Sequence, residues 1–314
     1  MAEKKRLFTG LQPSGQLHIG NYFGALKPFV DTYQEYESFL MVADYHSLTS
    51  LKNPSELRTN IVDIVRAYLA CGVDPSRATI FKQSDILEHT ELAWIFETLV
   101  TVPFLMQAHA YKDKVAKGLE PTAGLFNYPM LMAADILLYD TAVVPVGRDQ
   151  RQHVEYAREA AYKFNLAYGQ TFTEPAEKVL ENVAIVPGID GQKMSKSYKN
   201  TIPLFGFKDD IAAAVMSIVT DSSGDRPANV YAMHKLFKSE TELSSIYENN
   251  HGNYKALKES LIEDIEALVA PMRAKRETIS EDDVKKVLAD GREKAHTIAA
   301  AKMSDVRQKI GVSL

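Results

Sequence analysis

As far as about residue 200, the apolar residues fall alternately into short continuous runs and into longer stretches spaced three and four apart. Runs of the first kind predict buried strands, and stretches of the second kind predict amphipathic helices. Arg6-Leu7-Phe8-Thr9-Gly10-Leu11, Ser38 to Asp44, Ala78 to Lys82, Ala142 to Val146 and Asn182 to Val186 read as strands. From Gly20, the spacing puts Phe23, Leu26, Phe29, Val30 and Tyr33 on one helical face. Asn53-Pro54 and Gly72 bracket another helix, with an N-cap, a proline in the first turn and a glycine stop. Strands alternating with helices predict βαβ units and a doubly wound, parallel α/β sheet of the Rossmann-like kind. The stretch at about 87–140 is helical apart from Gly118 to Gly124, too long for a plain crossover, and reads as a helical insertion. Beyond Pro203 the strand signals fade. Ile211, Ala214, Val215 and Ile218 are in helical phase, and amphipathic segments follow to Ile310. The expected division is an α/β domain over 1–203 and an all-helical domain over 204–314.

Composition narrows the classes of function. A chain of 314 residues, 46% of them hydrophobic, can bury a full core. The net charge of −5 gives no global basic signature, so any nucleic-acid contact must use local patches. The single cysteine, Cys71, excludes a disulfide framework and a cysteine-based zinc site. Its setting, Ala67-Tyr68-Leu69-Ala70-Cys71, predicts a buried thiol. The basic start, Met1 to Arg6, leads into no apolar leader core, and no apolar run reaches a membrane-spanning length. A soluble, cytoplasmic protein with no membrane association is expected. Trp94 is expected to pack, and His89, His153, His234, His251, His296, Tyr162 and Tyr168 have no context that assigns them a role.

Three loops leave predicted strands with residues suited to a nucleotide. Gln12 to Asn21 carries glycines that let backbone approach phosphate, a helix start that favours anions, and His18 as a donor. An ordinary turn and helix cap would use the same residues. Gly147-Arg148-Asp149-Gln150 again sets a glycine at a helix start, with Asp149 either a simple N-cap or an acceptor for ribose hydroxyls. Lys193-Met194-Ser195-Lys196-Ser197 supplies mobile positive charge and short hydroxyl donors. In open parallel sheets, ligands bind outside the carboxyl ends of the strands, so three such loops together predict an ATP site.

Pro13-Ser14-Gly15 to His18-Ile19-Gly20-Asn21, with Lys193 to Ser197, resembles the two signatures of the class I aminoacyl-tRNA synthetases. More narrowly, Gln12 to Gly15, Met132 to Tyr139 and Val144 to Gln150 resemble the tryptophanyl-tRNA synthetase family. The resemblance is dense over residues 6 to 200 and extends to the family's anticodon-binding region in length and helical pattern only. Asn21 stands where many class I enzymes have a second histidine, a variant this family shares. His109-Ala110-Tyr111 before Lys112-Asp113-Lys114 departs from the family's Thr-Gln-Phe.

The resemblance implies that an amino-acid carboxylate attacks the α-phosphorus of ATP, and that the terminal adenosine 2′-hydroxyl of tRNA(Trp) then takes the aminoacyl group. An ionised carboxylate needs no general base, so catalysis would be positioning and charge stabilisation. By resemblance, His18 and Asn21 hold phosphates, Lys193 and Lys196 close on them, and Lys114 assists the leaving pyrophosphate. Gln12, Pro13, Ser14, Gly20, Gly147, Arg148, Asp149, Val186, Met194, Ser195 and Ser197 would complete the ATP site. Adenine would lie on the backbone near Val186, and Mg²⁺ would arrive with ATP; no protein metal site is expected. Asp135 lies in the otherwise apolar Leu131 to Leu138, where a carboxylate is costly unless paired. It is either held by an internal cap or arginine, or it accepts the N–H of L-tryptophan's indole, with Met132 packing on the ring. Phe8, Tyr128, Val144 and Val146 would line that pocket, and His46 and Gln150 would meet the α-amino and carboxylate groups. A homodimer is also implied. A tyrosyl enzyme would need polar partners for a phenol, which Met132, Ala133 and Ala134 do not offer. A non-catalytic RNA-binding paralogue would typically have lost a signature lysine or histidine, and all are present.

Overall fold

The computed structural model describes residues 4–107, 116, 118, 120–146, 151–179, 186–220 and 226–313, with backbone alone at 146, 151–153 and 177–179. Among these, β1 (Arg6–Leu11), β2 (Glu37–Val42), β3 (Ala78–Lys82), β4 (Val143–Val146) and β5 (Ala176–Val179) form one parallel sheet, in the order β3-β2-β1-β4-β5. The strand order reverses between β1 and β4, so their carboxyl ends flank the crevice in which doubly wound sheets take ligands. β1 and β4 are paired at Leu7 and Val143, near their starts, which leaves their later residues room to part.

Side chains alternate along each strand and feed two cores. Leu7, Leu40, Val42 and Ile80 join one cluster, while Phe8, Phe39, Met41 and Phe81 join the other. The first is covered by helical residues 19–35 and by α1 (Pro54–Ala70). Asn53 Oδ1 starts α1 by accepting from the N–H groups of Ser55 and Glu56 at 3.0 and 3.3 Å. The second is covered by α2 (Glu88–Glu97), α3 (Ala123–Leu137) and α4 (Arg151–Tyr168). Thr122 Oγ1 opens α3 by accepting from Leu125 N–H at 3.3 Å. Between β3 and β4 the described residues hold α2, a single turn at Val102–Leu105, and α3.

Beyond it come α5 (Lys208–Met216), α6 (Ala228–His234), α7 (Glu240–Asn249), α8 (Tyr254–Thr278) and α9 (Glu281–Lys309). α5 to α8 extend the first core, and α9 returns to the second through Ala295, Ala299, Met303 and Val306. α9 crosses β3 so closely that a Cβ at Gly291 would run into the Ile80 carbonyl. Arg307 also pairs with Glu91 of α2 at 2.7 Å, so the C-terminal helices pack on the parallel sheet and its helices.

Several expectations need correction. β5 was not legible: Ala176-Glu177-Lys178-Val179 carries charge at its centre, as edge strands do. The expected strand at Asn182 to Val186 lies outside the described residues as far as residue 185, and Val186 belongs to no strand. The helical stretch after His18 is interrupted by a π-helical turn at Tyr22–Leu26. Its face still buries Phe23, Leu26, Phe29 and Tyr33, with Val30 half-buried. Trp94 does not pack but is 68% exposed. Cys71 is buried, and burial pushes its thiol up to about 12, which leaves it unreactive. No described helix is long and apolar enough to cross a membrane.

Candidate active site

β1 ends at Leu11, and the chain turns with Ser14 N–H donating to Gln12 O at 2.9 Å. Asn21 Oδ1 accepts from His18 N–H at 3.0 Å and fixes the start of the helical segment. His18 is buried, and its Nδ1 has no partner among the described residues. Burial, and then the nearby Lys196 charge, lower its imidazole from 6.5 to about 4. It is therefore neutral at pH 7 and keeps one N–H to give. Gly20 is required by contact: a Cβ there would sit 2.8 Å from His18 Nδ1 and 3.2 Å from Met194 Cβ.

The lysine loop is a tight hairpin. Met194 N–H donates to Val186 O at 2.9 Å, Gly188 N–H donates to Gln192 O at 2.6 Å, and Pro187 bridges Lys193. Buried Asn200 holds its interior. Asn200 Oδ1 accepts from Ser195 N–H at 2.7 Å, and Nδ2 donates to Asp190 Oδ1 at 2.7 Å and to Lys193 O at 3.1 Å. The returning chain then pairs with the first loop: Ile19 N–H donates to Ile202 O at 3.0 Å, and Leu204 N–H to Leu17 O at 2.9 Å. Gly20 N–H points to Met194 Sδ at 3.3 Å, and Lys196 Nζ donates to Ser14 O at 2.8 Å. Desolvation there lowers the Lys196 ammonium below its usual value, although the residue as a whole is exposed. The two sequence signatures are thus one structural unit. Residues 174 apart meet because the last segment of the α/β part adds itself to the first loop.

Beside this unit, at the parting of β1 and β4, lies a cavity of about 320 Å³. Phe8, His46, Tyr128, Met132, Asp135 and Val144 line it, and Gln12 joins it to the first loop. These are six of the expected substrate contacts. Val146 lies in β4 with its backbone described, whereas Lys114, Gly147, Arg148, Asp149 and Gln150 lie outside the described residues. Asp135, 2% exposed, has neither a cap role nor an arginine partner among the described residues. Its Oδ2 faces His46 Nε2 at 2.7 Å, and its Oδ1 faces Gln83 Nε2 at 2.8 Å and His89 Nδ1 at 2.6 Å. Burial pushes this carboxyl up. The hydrogen bonds and charge of the two histidines overcome that and hold it at about 2. His46, expected at the α-amino and carboxylate groups, lines the cavity but gives Nε2 to Asp135.

Two residues of this cluster were missed. Gln83 directly follows β3, so its place at a strand's carboxyl end was the available signal. His89 carried none, because its partners are 46 and 50 residues away in sequence (Asp135, Tyr139). Among the described residues, no group of three or more His, Cys, Asp or Glu side chains could hold a metal ion.

A family model described as tRNA synthetases class I (W and Y) matches residues 1–290. The chain belongs to this class I tRNA synthetase family. Within it, the chain is 47% identical to a tryptophan–tRNA ligase of Fusobacterium nucleatum subsp. nucleatum, over 98% of each chain. It is 43% identical to one from Rhodopirellula baltica, over 98% of this chain and 99% of the relative. Among solved structures of the family, the tryptophanyl-tRNA synthetase of Campylobacter jejuni, complexed with ADP and tryptophan, superposes with a TM-score of 0.90. The two are 43% identical over 98% of this chain and 99% of that one. The Rossmann-like class I fold of the synthetase family is the fold described above.

Proposed function

We propose that tryptophan lies in the 320 Å³ cavity, with its indole N–H on Asp135 and its carboxylate directed past Gln12 toward the His18 loop. The chain is a tryptophan–tRNA ligase and uses ATP. The observation that carries the arrangement is the continuity of the cavity holding Asp135 with the end of β1, next to the joined signature loops. A carboxylate oxygen of tryptophan attacks the α-phosphorus, the bond to the bridging oxygen breaks, and pyrophosphate leaves. The 2′-hydroxyl of tRNA(Trp) then attacks the mixed anhydride and releases AMP.

Phe8, Met132, Val144, Val146 and Tyr128 supply the apolar walls for the ring, and His46 and Gln150 serve the polar end of the amino acid. Neutral His18 and Asn21 face the phosphates with Gly20, and Lys193 and Lys196 neutralise charge as it develops on the departing oxygens. Lys114 acts at the pyrophosphate. Gly147 and Arg148 take the nucleotide with Asp149 on the ribose, while Val186 meets adenine with its backbone. Gln12, Pro13, Ser14, Met194, Ser195 and Ser197 shape the loops around it. Mg²⁺ comes with the ATP phosphates, which supply the hard oxygen ligands it prefers.

Residues 1–203 form the catalytic part in this reading and 204–314 the part that meets the tRNA anticodon region. The protein works in the cytoplasm as a homodimer. Exposed Trp94 and Leu48, on an apolar cleft beside α2 and α3, support a second copy there. Charging of tRNA(Trp) with labelled tryptophan, in the presence of ATP and Mg²⁺, tests the reading. Acceptance of tryptophan by this tRNA is expected, and charging with tyrosine in its place would refute it.

A further inference from the structure

Three elements send a side-chain nitrogen to Asp135. His46 comes from the turn Asp44–Ser47 after β2, Gln83 from the end of β3, and His89 from the first turn of α2. Each donor is itself held in orientation. Gln83 Oε1 accepts from the N–H groups of Tyr45 and His46 at 3.1 and 3.4 Å. That assigns Oε1 to the backbone and leaves Nε2, a donor, for the carboxylate. His89 has no exposure; its Nε2 is 2.9 Å from Tyr139 Oη, and Phe81 stacks on its ring at 6.0 Å and 22°. Its Nδ1 lies 2.6 Å from Asp135 Oδ1, in ion-pair contact though not aligned as a hydrogen bond. A carboxylate offers about four lone-pair directions. His46 and Gln83 engage two of them by hydrogen bonds, His89 Nδ1 closes on Oδ1 as an ion-pair contact at 2.6 Å, and Asp135 also forms part of the cavity wall.

We propose that His89, supported by Gln83, is a positioning residue for substrate choice: it holds Asp135 so that a free acceptor direction faces the cavity and demands a ring N–H. This rests on the reading that Asp135 receives the indole. Neither His89 nor Gln83 lines the cavity. They act through the carboxylate by removing its freedom to rotate and to take water in place of the ring. Selectivity for an N–H ring is then a property of the whole cluster, set by α2 and β3 as well as by α3.

Two substitutions separate this role from plain packing. His89→Asn keeps an amide donor near the position of Nδ1 and gives up the reach to Tyr139. His89→Gln reaches toward Tyr139 and gives up the donor at Nδ1. The probe is amino-acid-dependent ATP–pyrophosphate exchange with L-tryptophan and with benzothienylalanine, an analogue of the same shape with sulfur in place of N–H. Thermal melting of each variant accompanies it. The parent protein should prefer tryptophan by ~100-fold or more, since a buried acceptor left unpaired is costly. His89→Gln should lose about tenfold or more of that preference through the tryptophan KM, with the ATP KM unchanged, whereas His89→Asn should stay within about threefold of the parent. Equal loss in both variants, or an unchanged preference in His89→Gln, would overturn the positioning role. Preference lost in Asp135→Asn but intact in His89→Gln would overturn it while leaving the Asp135 reading in place. No preference in the parent protein would overturn both.

Discussion

Lys196 Nζ donates to the carbonyl oxygen of Ser14 at 2.8 Å, joining the loop after β4 and β5 to the loop after β1. An ammonium on a neutral carbonyl makes a modest contact, and a triphosphate is a far stronger partner. In the proposed function this charge leaves the carbonyl for the phosphates. Lys196→Ala should lower the rate of adenylate formation by ~100-fold, on the scale of removing one preorganised electrostatic donor, while the ATP KM changes only a few-fold. Single-turnover adenylation against ATP concentration checks this. A raised KM with an unchanged rate would make the lysine a ground-state binder.

Gly20 sits between His18 and Met194, where the two loops pack together. An added methyl would be 2.8 Å from His18 Nδ1, so the imidazole or the loop must move. Gly20→Ala is expected to cost roughly 1–3 kcal/mol of stability by overpacking and to weaken ATP binding together with catalysis. Chemical unfolding and exchange kinetics measure both. Unchanged kinetics would mean that the loops do not need this spacing.

Asn200 is the internal brace of the lysine loop. Asn200→Ala leaves Ser195 N–H, Asp190 and the Lys193 carbonyl without the partners they have at 2.7, 2.7 and 3.1 Å. A loss of roughly 1–3 kcal/mol per buried group is the scale to expect locally. The adenylation rate should fall with little change in the tryptophan KM, because the amino-acid cavity is built elsewhere. A raised tryptophan KM with an intact rate would contradict this division.

Local patterning carried the sequence reading where the physics is local. β1, β2, β3 and α1 follow directly from period, N-cap and glycine stop, since those signals lie within the elements themselves. Both signature loops were legible because strand-end glycines and paired lysines state their chemistry in a short string. β5 was hidden by its charges, and the exposure of Trp94 cannot be read from its neighbours in sequence. The deeper gap concerns Asp135. Its apolar setting said that the carboxylate must be paired, but not that Gln83 and His89 pair it, since those contacts are made only when β3, α2 and α3 are packed together.

The pairing of Asp135 gives stability a pH dependence of definite sign. The folded carboxyl titrates at about 2 and the unfolded one near 3.8, so between these values the folded protein binds fewer protons. The contribution, roughly 2 kcal/mol, is fully present above the unfolded value and is lost as pH falls through the interval toward the folded one. Asp135→Asn should flatten that part of the stability curve, measured by guanidinium unfolding across the same interval. An unchanged slope would place the acid sensitivity on other carboxylates.

The central claim is that one cavity, with Asp135 in its wall, delivers tryptophan to ATP held by the joined loops. Amino-acid-dependent ATP–pyrophosphate exchange tests it most directly. Exchange should be supported by tryptophan, with kcat/KM above that for tyrosine by ~10⁴-fold or more, and Asp135→Ala should raise the tryptophan KM far more than the ATP KM. Exchange supported by tyrosine, or equal losses for both substrates in the variant, would contradict the account.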